Sequence, residues 1–242
     1  MSRQFKSLSG QVIVITGATS CIGLSTARML AKRGAALVLA ASHVSTLDRL
    51  AGEIRQAGGK VLAVPVDVTV FDQVQALGHS ALAYFGRVDT WINAGMAMDD
   101  LDDVKPAPVA ARLFTAHYWG ANHGARVASS LMAQEGGKII NLDSDACARH
   151  GVKGLTDTLR ANLETDGVPI AVTLVHAAGR NDMHNAPRLV AEAILRAAQH
   201  AQRDIVVSGA APARGVGHAT PGLLERVREL LTLRHTHKAS HT

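Results

Sequence analysis

A glycine-containing turn stands near the start of the chain, between an apolar run and a helical pattern. Residues 14–23 read Val-Ile-Thr-Gly-Ala-Thr-Ser-Cys-Ile-Gly, and the helical pattern continues to Lys32. Backbone N–H groups at the beginning of a helix bind phosphate, because they have no partner within the helix and lie at the positive end of its dipole. The segment therefore predicts a site for the pyrophosphate of a dinucleotide, formed by Gly17, Ser20, Cys21, Ile22 and Gly23.

Small and polar residues also follow two later apolar runs, 61–66 and 88–92. They are Asp67 and Val68 after the first run, and Asn93, Ala94 and Gly95 after the second. The carboxyl ends of parallel strands meet at one edge of a sheet, and open α/β sheets bind their ligands at that edge. We therefore expect these residues to line the same site as the glycine turn.

The elements that must position these residues alternate regularly along the chain. The predicted strands are 12–15, 36–41, 61–66, 88–92, 138–142, 170–175 and 205–207. The predicted helices are 22–32, 46–57, 73–84, 109–132, 147–163, 189–198 and 221–231. Such alternation with short connections is typical of an α/β fold. The sequence predicts a single domain over 1–242, a Rossmann-type doubly wound parallel sheet, with a core over about 10–207 and a C-terminal helix and tail over 220–242.

The composition fits this fold class and argues against several others. The chain has 242 residues, of which 47% are apolar, 19% charged and 3% aromatic, so a wholly disordered chain is excluded. The longest wholly apolar run, 35–41, is too short to cross a bilayer, so no membrane partner is expected. A scattered net charge of +5 does not predict nucleic-acid binding. Cys21 and Cys147 make no disulfide framework, so we expect a soluble, cytoplasmic protein.

Taken together, these motifs resemble the short-chain dehydrogenase/reductase family over nearly the whole chain. The segments 136–141 (Gly-Gly-Lys-Ile-Ile-Asn) and 148–157 (Ala-Arg-His-Gly-Val-Lys-Gly-Leu-Thr-Asp) also look like family segments. The resemblance implies a nicotinamide dinucleotide cofactor and hydride transfer to or from a small-molecule substrate. It further implies a catalytic set of Asn, Ser, Tyr and Lys, in which the tyrosine phenol donates a proton and the lysine lowers the pKa of that phenol.

The chain departs from this pattern at most of the catalytic positions. Ser144 matches the serine, whereas His117 stands at the asparagine position, with Asn122 as a poorer alternative. A stretch that precedes Tyr-x-x-x-Lys in the family is missing after Ser144, which puts Asp145 at the tyrosine and Arg149 at the lysine. An ordinary aspartate has a pKa near about 4 and holds no proton to donate at neutral pH.

These departures predict a degenerate, catalytically impaired family member, a pseudoenzyme. The chain has two tyrosines, Tyr84 and Tyr118, and neither is followed by lysine at the fourth residue. Losing a positioned general acid costs about 10²–10⁴ in rate. The alternative is an active NADP-linked oxidoreductase, of the carbonyl reductase or alcohol dehydrogenase type, with a rearranged site that uses Ser144 and His117 as donors.

The cofactor half of the site departs from the family as well. Cys21 replaces the middle glycine of the motif Thr-Gly-x-x-x-Gly-x-Gly, which predicts crowding of the phosphate or strain in the turn. The second strand ends in Ala-Ala-Ser-His, without a carboxylate for the ribose hydroxyls of NAD. Ser42 stands where NADP-binding relatives have arginine. NADP(H) is therefore favoured over NAD(H), with weak binding.

Metal binding is not expected, although the chain has 12 histidines. His117 and His123 are spaced so that they face different sides of a helix, and no His-Glu-x-x-His or paired-cysteine motif is present.

A weak homodimer is the expected assembly. In the family, dimers commonly form through the long helix after the fourth strand and the helix that carries Tyr-x-x-x-Lys. Part of the second helix is missing here, but apolar positions such as Val127, Leu131, Leu155 and Leu159 remain available in the sequence to pair.

Overall fold

The computed structural model describes residues 6–95, 107–143, 149–178 and 186–208. Within these ranges, seven parallel strands form one sheet in the order β3-β2-β1-β4-β5-β6-β7. The strands are β1 (Val12–Thr16), β2 (Ala36–Ala41), β3 (Val61–Pro65), β4 (Thr90–Asn93), β5 (Gly137–Asp143), β6 (Ile170–Ala178) and β7 (Asp204–Ser208). The helices are α1 (Cys21–Lys32), α2 (Val44–Gln56), α3 (Phe71–Phe85), α4 (Ala107–Phe114), α5 (Gly120–Met132), α6 (Arg149–Thr165) and α7 (Ala186–Gln199).

Helices cover the sheet on both faces, which is why the strands are apolar on both faces. Alternate strand residues, such as Ile13 and Ile15 of β1, pack with α1, α2 and α7. Their neighbours Val12 and Val14 point the other way and pack with α3, α5 and α6. All five residues of β1 are buried, so this strand lies at the centre of both apolar layers.

The predicted α/β fold is confirmed, with one difference in its longest helix. The helix predicted over 109–132 is divided into α4 and α5 by a π-helical turn, Thr115–Trp119. The predicted C-terminal helix and tail over 220–242 lie outside the described residues. In the ranges that the structure describes, no helix is long and apolar enough to cross a membrane.

The order of the strands reverses at β1, which pairs with β2 on one side and with β4 on the other. The chain leaves β1 towards one face of the sheet and reaches β4 from α3 on the opposite face. A crevice therefore opens at the carboxyl ends of β1 and β4, and it is the place where sheets of this kind hold a ligand.

The apolar side chains that are expected to pair between two copies of the chain also pack within one copy. A Cβ at Gly78 of α3 would lie 2.7 Å from a methyl of Val127 and 2.9 Å from a methyl of Leu131, so these side chains pack on α3. Leu159 joins the same core, and Leu155 packs against buried residues of α5, α6 and β6. Val127 is buried and Leu131, Leu155 and Leu159 are half-buried, so the pairing of these side chains between two copies stays a prediction.

Candidate active site

The turn after β1 is held open by a serine that caps α1. Ser20 Oγ accepts a hydrogen bond from the Gly23 N–H (2.9 Å) and donates one to the Ala94 carbonyl (3.1 Å). The described hydrogen bonds give no acceptor to the N–H groups of Cys21 and Ile22, the first two residues of α1. These two N–H groups remain for an anion at the helix N-terminus.

Two glycines of this turn are required by the close approach of neighbouring backbone. Gly17 has φ +70°, and a Cβ there would lie 2.3 Å from the Cα of Gly95, which follows β4. A Cβ at Gly23 would lie 2.2 Å from the Gly17 carbonyl oxygen. The turn after β1 therefore contacts the end of β4 directly, and no other residue type fits at either position without displacement.

Cys21 does not strain the turn, contrary to the expectation from the sequence. It is the first residue of α1, where the backbone is helical and accessible to every residue type. Its side chain is exposed at the helix N-terminus. The expected crowding of a phosphate by this side chain remains a prediction.

A cavity of about 270 Å³ opens at the carboxyl edge, between the turns that follow β1, β2, β3 and β4. Seven of the residues predicted from the sequence line it: Gly17, Ser20, Ser42, Asp67, Val68, Gly95 and His117. Six further lining residues were missed, namely Thr19, Ala41, Val66, Thr69, Leu113 and Ala116. Most of them adjoin a predicted residue in the chain, so extending each motif by one or two residues would have found them.

Asp67 shapes the turn after β3 as well as lining the cavity. Its Oδ1 accepts hydrogen bonds from the Thr69 N–H (2.9 Å) and the Thr69 hydroxyl (2.7 Å). The Asp67 N–H donates to Gln73 Oε1 (2.9 Å), which ties the turn to α3. These bonds fix the loop at the mouth of the cavity.

Asn93 lies behind the cavity, at the centre of a buried polar network. Its Oδ1 accepts from the Trp91 indole N–H (2.9 Å) and the Thr16 hydroxyl (3.2 Å), and its Nδ2 donates to Asn141 Oδ1 (2.9 Å). Asn141 in turn donates to the Thr156 hydroxyl of α6 (2.9 Å). Asn93 thus links β1, β4 and β5 and has a supporting role. The predicted residues Ile22, Gly23 and Ala94 are also buried behind the cavity wall.

His117 lies in the π-helical turn and is one of the residues that line the cavity. Its side chain is buried. A π-helical turn displaces the residues that follow it relative to a regular helix, and such turns are frequent at functional sites. The alternative residue, Asn122, is half-buried on α5 and does not line this cavity.

The other predicted catalytic residues fall at the junction between β5 and α6. Ser144 and Asp145 lie outside the described residues, and of Arg149 only its position at the start of α6 is described. Their predicted roles therefore stay predictions.

A carboxylate–imidazole pair at the same edge was missed by the sequence reasoning. Asp143 ends β5 and is buried, and its Oδ2 lies 2.8 Å from His176 Nδ1 on β6. The two residues are 33 positions apart, so no local motif joins them. Their positions in the sequence could have indicated the pair, because each is a polar residue at the carboxyl end of an apolar strand.

Comparison with known proteins decides the family. The model of the short chain dehydrogenase family matches residues 11–186. The chain belongs to this family. Within it, the chain is 34% identical to an uncharacterized oxidoreductase of Bacillus subtilis (strain 168), YxnA, over 276 aligned positions that cover 97% of this chain and 76% of that protein.

Solved structures of short-chain dehydrogenases have the same fold as this family member. A metagenomic short-chain oxidoreductase in complex with NADP is 27% identical, with a TM-score of 0.71 over 84% of this chain and 99% of that one. A short-chain type dehydrogenase/reductase from Mycobacterium marinum is 26% identical, with a TM-score of 0.72 over 84% of this chain and 95% of that one.

The residues of this short-chain dehydrogenase fit the pyrophosphate of a dinucleotide. Gly17 leaves room where a Cβ would collide, Ser20 caps the helix from the side, and the N–H groups of Cys21 and Ile22 are left for a phosphate. In the described part of the chain, no group of three His, Cys, Asp or Glu side chains is arranged to hold a metal ion.

Proposed function

We propose that this chain binds NADP(H) at the carboxyl-edge cavity and catalyses hydride transfer between NADP(H) and a carbonyl or alcohol far more slowly than ordinary enzymes. The proposal combines a dinucleotide turn that fits a phosphate with a site that lacks the family's tyrosine and lysine. When bound, the cofactor supplies or accepts the hydride. The residues of this chain hold its phosphates through the N-terminus of α1 and enclose it between the turns after β1 to β4.

The observation that carries the proposal is the short junction between β5 and α6. β5 ends at Asp143 and α6 begins at Arg149, and residues 144–148 include neither tyrosine nor lysine. On α6, Lys153 pairs with Asp157 one turn later, at 2.5 Å. This junction leaves no place for a phenol with a lysine four residues after it.

Neither tyrosine elsewhere in the chain supports proton transfer at the cavity. Tyr84 lies in the last turn of α3, just before β4 begins, so it is at the amino edge of the sheet, and it is 62% exposed. Tyr118 stacks on Phe114, with ring centroids 5.4 Å apart and an angle of 8° between the planes. Neither side chain is among those that line the cavity.

The alignment with the Bacillus oxidoreductase supports the loss of internal segments. It runs over 276 positions, whereas the chain has 242 residues, so at least 276 − 242 = 34 positions of the alignment are gaps in this chain. A shortened junction after β5 is consistent with such gaps.

The preference for NADP(H) rests on the end of β2. Ser42 lines the cavity, is exposed, and has alanine and histidine as its chain neighbours, so no carboxylate follows β2 to hold the ribose hydroxyls of NAD. Ser42→Asp should weaken NADPH binding by charge repulsion, whereas Ser42→Arg should strengthen it. Equal affinities of the two variants for NADPH would contradict this part of the proposal.

Two measurements on the purified chain test the proposed function. Fluorescence titration with NADPH should show saturable binding, and absence of binding would overturn the proposal. Steady-state assays with NADPH or NADP⁺ against aldehydes, ketones and alcohols should give turnover far below about 1 s⁻¹, the low end of ordinary enzymes. Turnover at or above that value would show that catalysis is not impaired.

A second candidate function is supported by the position of His117. This histidine lines the cavity in the π-helical turn, and the second candidate is an active NADP-linked oxidoreductase in which His117 and the predicted Ser144 serve as donors. In that case, His117→Asn should abolish turnover, although it restores the residue type that the family has there. The predicted cytoplasmic location stays a prediction.

A further inference from the structure

In the Asp143–His176 pair, the carboxylate holds one nitrogen of the imidazole, and the other nitrogen is available for proton transfer. Asp143 has no exposed side-chain surface, and its Oδ2 lies 2.8 Å from His176 Nδ1. A carboxylate without a proton can only accept hydrogen bonds, so in that form of the pair His176 Nδ1 is the donor. Nε2 lies on the other side of the ring, away from Asp143. The His176 side chain is 22% exposed, so solvent can reach the ring.

The register of the sheet places this pair at the same edge as the cavity. Asn93 of β4 pairs with Asn141 of β5, and Asp143 lies two residues further towards the carboxyl edge. Gly95, which lines the cavity, likewise lies two residues beyond Asn93. β5 and β6 are the first and second strands beyond β4 in the sheet, so Asp143 and His176 lie one and two strands away from the strand that leads to Gly95.

Side-chain alternation places the pair on the face of the sheet that carries α5 and α6. Asp143 and Asn141 are two residues apart and share a face, and Asn141 bonds to Thr156 of α6. His176 shares a face with Leu174, which packs with residues of α5 and α6. The pair therefore projects at the start of α6, next to the junction that lacks tyrosine and lysine.

We propose that His176, oriented by Asp143, is the proton donor and acceptor for the carbonyl–alcohol interconversion that this chain retains. This inference rests on the proposed binding of NADP(H). In reduction, bound NADPH would supply a hydride, with its two electrons, for the new C–H bond, and the carbonyl π electrons would move to oxygen. His176 transfers the Nε2 proton to that oxygen, giving the alcohol, and regains a proton from solvent. Asp143 keeps its hydrogen bond to Nδ1 throughout and stabilises the protonated ring.

The proposal is compatible with slow turnover. The pair supplies one positioned acid, a contribution of about 10²–10⁴ in rate. It does not supply a lysine or a second donor to the oxygen. The small activity that remains should therefore depend almost entirely on His176.

The first test compares variants under saturating NADPH, with phenanthrenequinone, para-nitrobenzaldehyde and cyclohexanone as carbonyl probes. His176→Asn should lower kcat by about 10²–10⁴ without changing the dissociation constant for NADPH. The matched control is His79→Asn, because His79 is exposed on α3 and distant from the carboxyl edge. In His176→Ala, added imidazole should restore part of the lost turnover, which a purely structural role of the histidine would not allow.

Asp143 is a positioning residue, and its variant has a separate signature. In Asp143→Asn, the amide can donate to Nδ1 and hold the ring in the other tautomer, so kcat should fall by about 10- to 10⁴-fold while KM stays nearly constant. The opposite result would be a rise in KM together with a loss of folded protein, while kcat per folded molecule stays unchanged. It would show that the carboxylate only supports the fold.

A second readout does not depend on turnover. Diethyl pyrocarbonate modifies accessible imidazole nitrogens, and mass spectrometry of peptides reports the rate at each histidine. NADP⁺ should slow the modification of His176 and leave that of His79 unchanged. Lack of protection, with NADP⁺ shown to bind by titration, would place His176 away from the cofactor and overturn the inference.

The outcomes separate this inference from the proposed function. If NADPH does not bind, both are overturned. If NADPH binds and the wild-type chain shows no turnover of the three probes, or His176→Asn leaves the turnover unchanged, the inference fails while the proposed binding stands.

Discussion

Replacing Gly17 by alanine should lower the free energy of unfolding more than the same replacement at a glycine that has left-handed backbone but open space around it. Gly17 (φ +70°) and Gly58 (φ +80°) both have left-handed backbone, and Gly58 follows α2. A Cβ at Gly58 would have nothing within 4 Å, whereas a Cβ at Gly17 would lie 2.3, 2.5 and 2.6 Å from backbone atoms of Gly95 and Ala94. Gly58→Ala is therefore a control that carries the conformational cost alone.

The magnitudes follow from these two contributions. Left-handed backbone costs an alanine about 1–2 kcal/mol, and this cost applies to both variants. Overlap with packed atoms costs about a further 1–3 kcal/mol, and it applies only to Gly17→Ala. The atoms that collide belong to the backbone, so relief requires the turn after β1 to move away from the end of β4. That movement disrupts the dinucleotide turn, and we expect NADPH affinity to fall about tenfold or more, equal to about 1.4 kcal/mol or more.

Urea unfolding followed by circular dichroism measures the first effect, and fluorescence titration with NADPH measures the second. Gly17→Ala should lose more free energy of unfolding than Gly58→Ala, and only Gly17→Ala should lose affinity. Equal losses of stability in the two variants, or full NADPH affinity in Gly17→Ala, would refute the close contact between the two turns as the reason for glycine at this position.

Three other predictions concern the helix N-terminus, a buried lysine and assembly. Cys21→Gly should tighten NADPH binding about fivefold or more, equal to about 1 kcal/mol or more, without raising turnover; unchanged affinity in calorimetric titration would show that the side chain does not crowd the phosphate. Burial lowers the pKa of Lys138 from 10.5 to about 8, against the opposing effect of Asp89. The fold thus disfavours the charged lysine and loses stability by holding it. This loss of stability is fully present below about pH 8 and vanishes as the pH rises to 10.5. Over that range the free energy of unfolding of the wild type should rise by about 3 kcal/mol relative to that of Lys138→Met. Lys60→Met, which replaces an exposed lysine, should show the same rise as the wild type. Sedimentation should show a monomer–dimer mixture at micromolar concentration. Because Trp119 is 45% exposed, Trp119→Ser should shift this mixture to monomer. A single tight tetramer would contradict the prediction.

The fold could be predicted from the sequence because its strands are buried on both faces. Runs such as Val12–Thr16 are then continuously apolar, and short connections between strands and helices leave few alternatives to a parallel sheet. The turn after β1 could be predicted for a similar reason, because it depends on local features: glycine where a Cβ would collide and serine where a helix begins. These features lie within a few residues of one another.

The Asp143–His176 pair could not be predicted in this way, because it depends on register. Asp143 faces His176 only because β5 and β6 align residue for residue over seven pairs, from Gly137 with Ile170 onwards. A shift of one residue would turn the histidine to the other face of the sheet. The links from Asn93 to Asn141 and from Asn141 to Thr156 have the same character, since each joins different elements. Local patterns contain little information on such alignments.

Cofactor binding and proton transfer depend on different parts of this fold, so one can persist without the other. The dinucleotide turn is formed by backbone, and it needs only room at Gly17 and a capped helix at Ser20. Proton transfer needs one titratable side chain held at one place, and residues 144–148 between β5 and α6 include neither tyrosine nor lysine. Among the described residues at the carboxyl edge, His176 is the histidine held by a buried carboxylate. If the chain retains any hydride chemistry, that chemistry should be lost when His176 is replaced, whereas NADPH binding should persist.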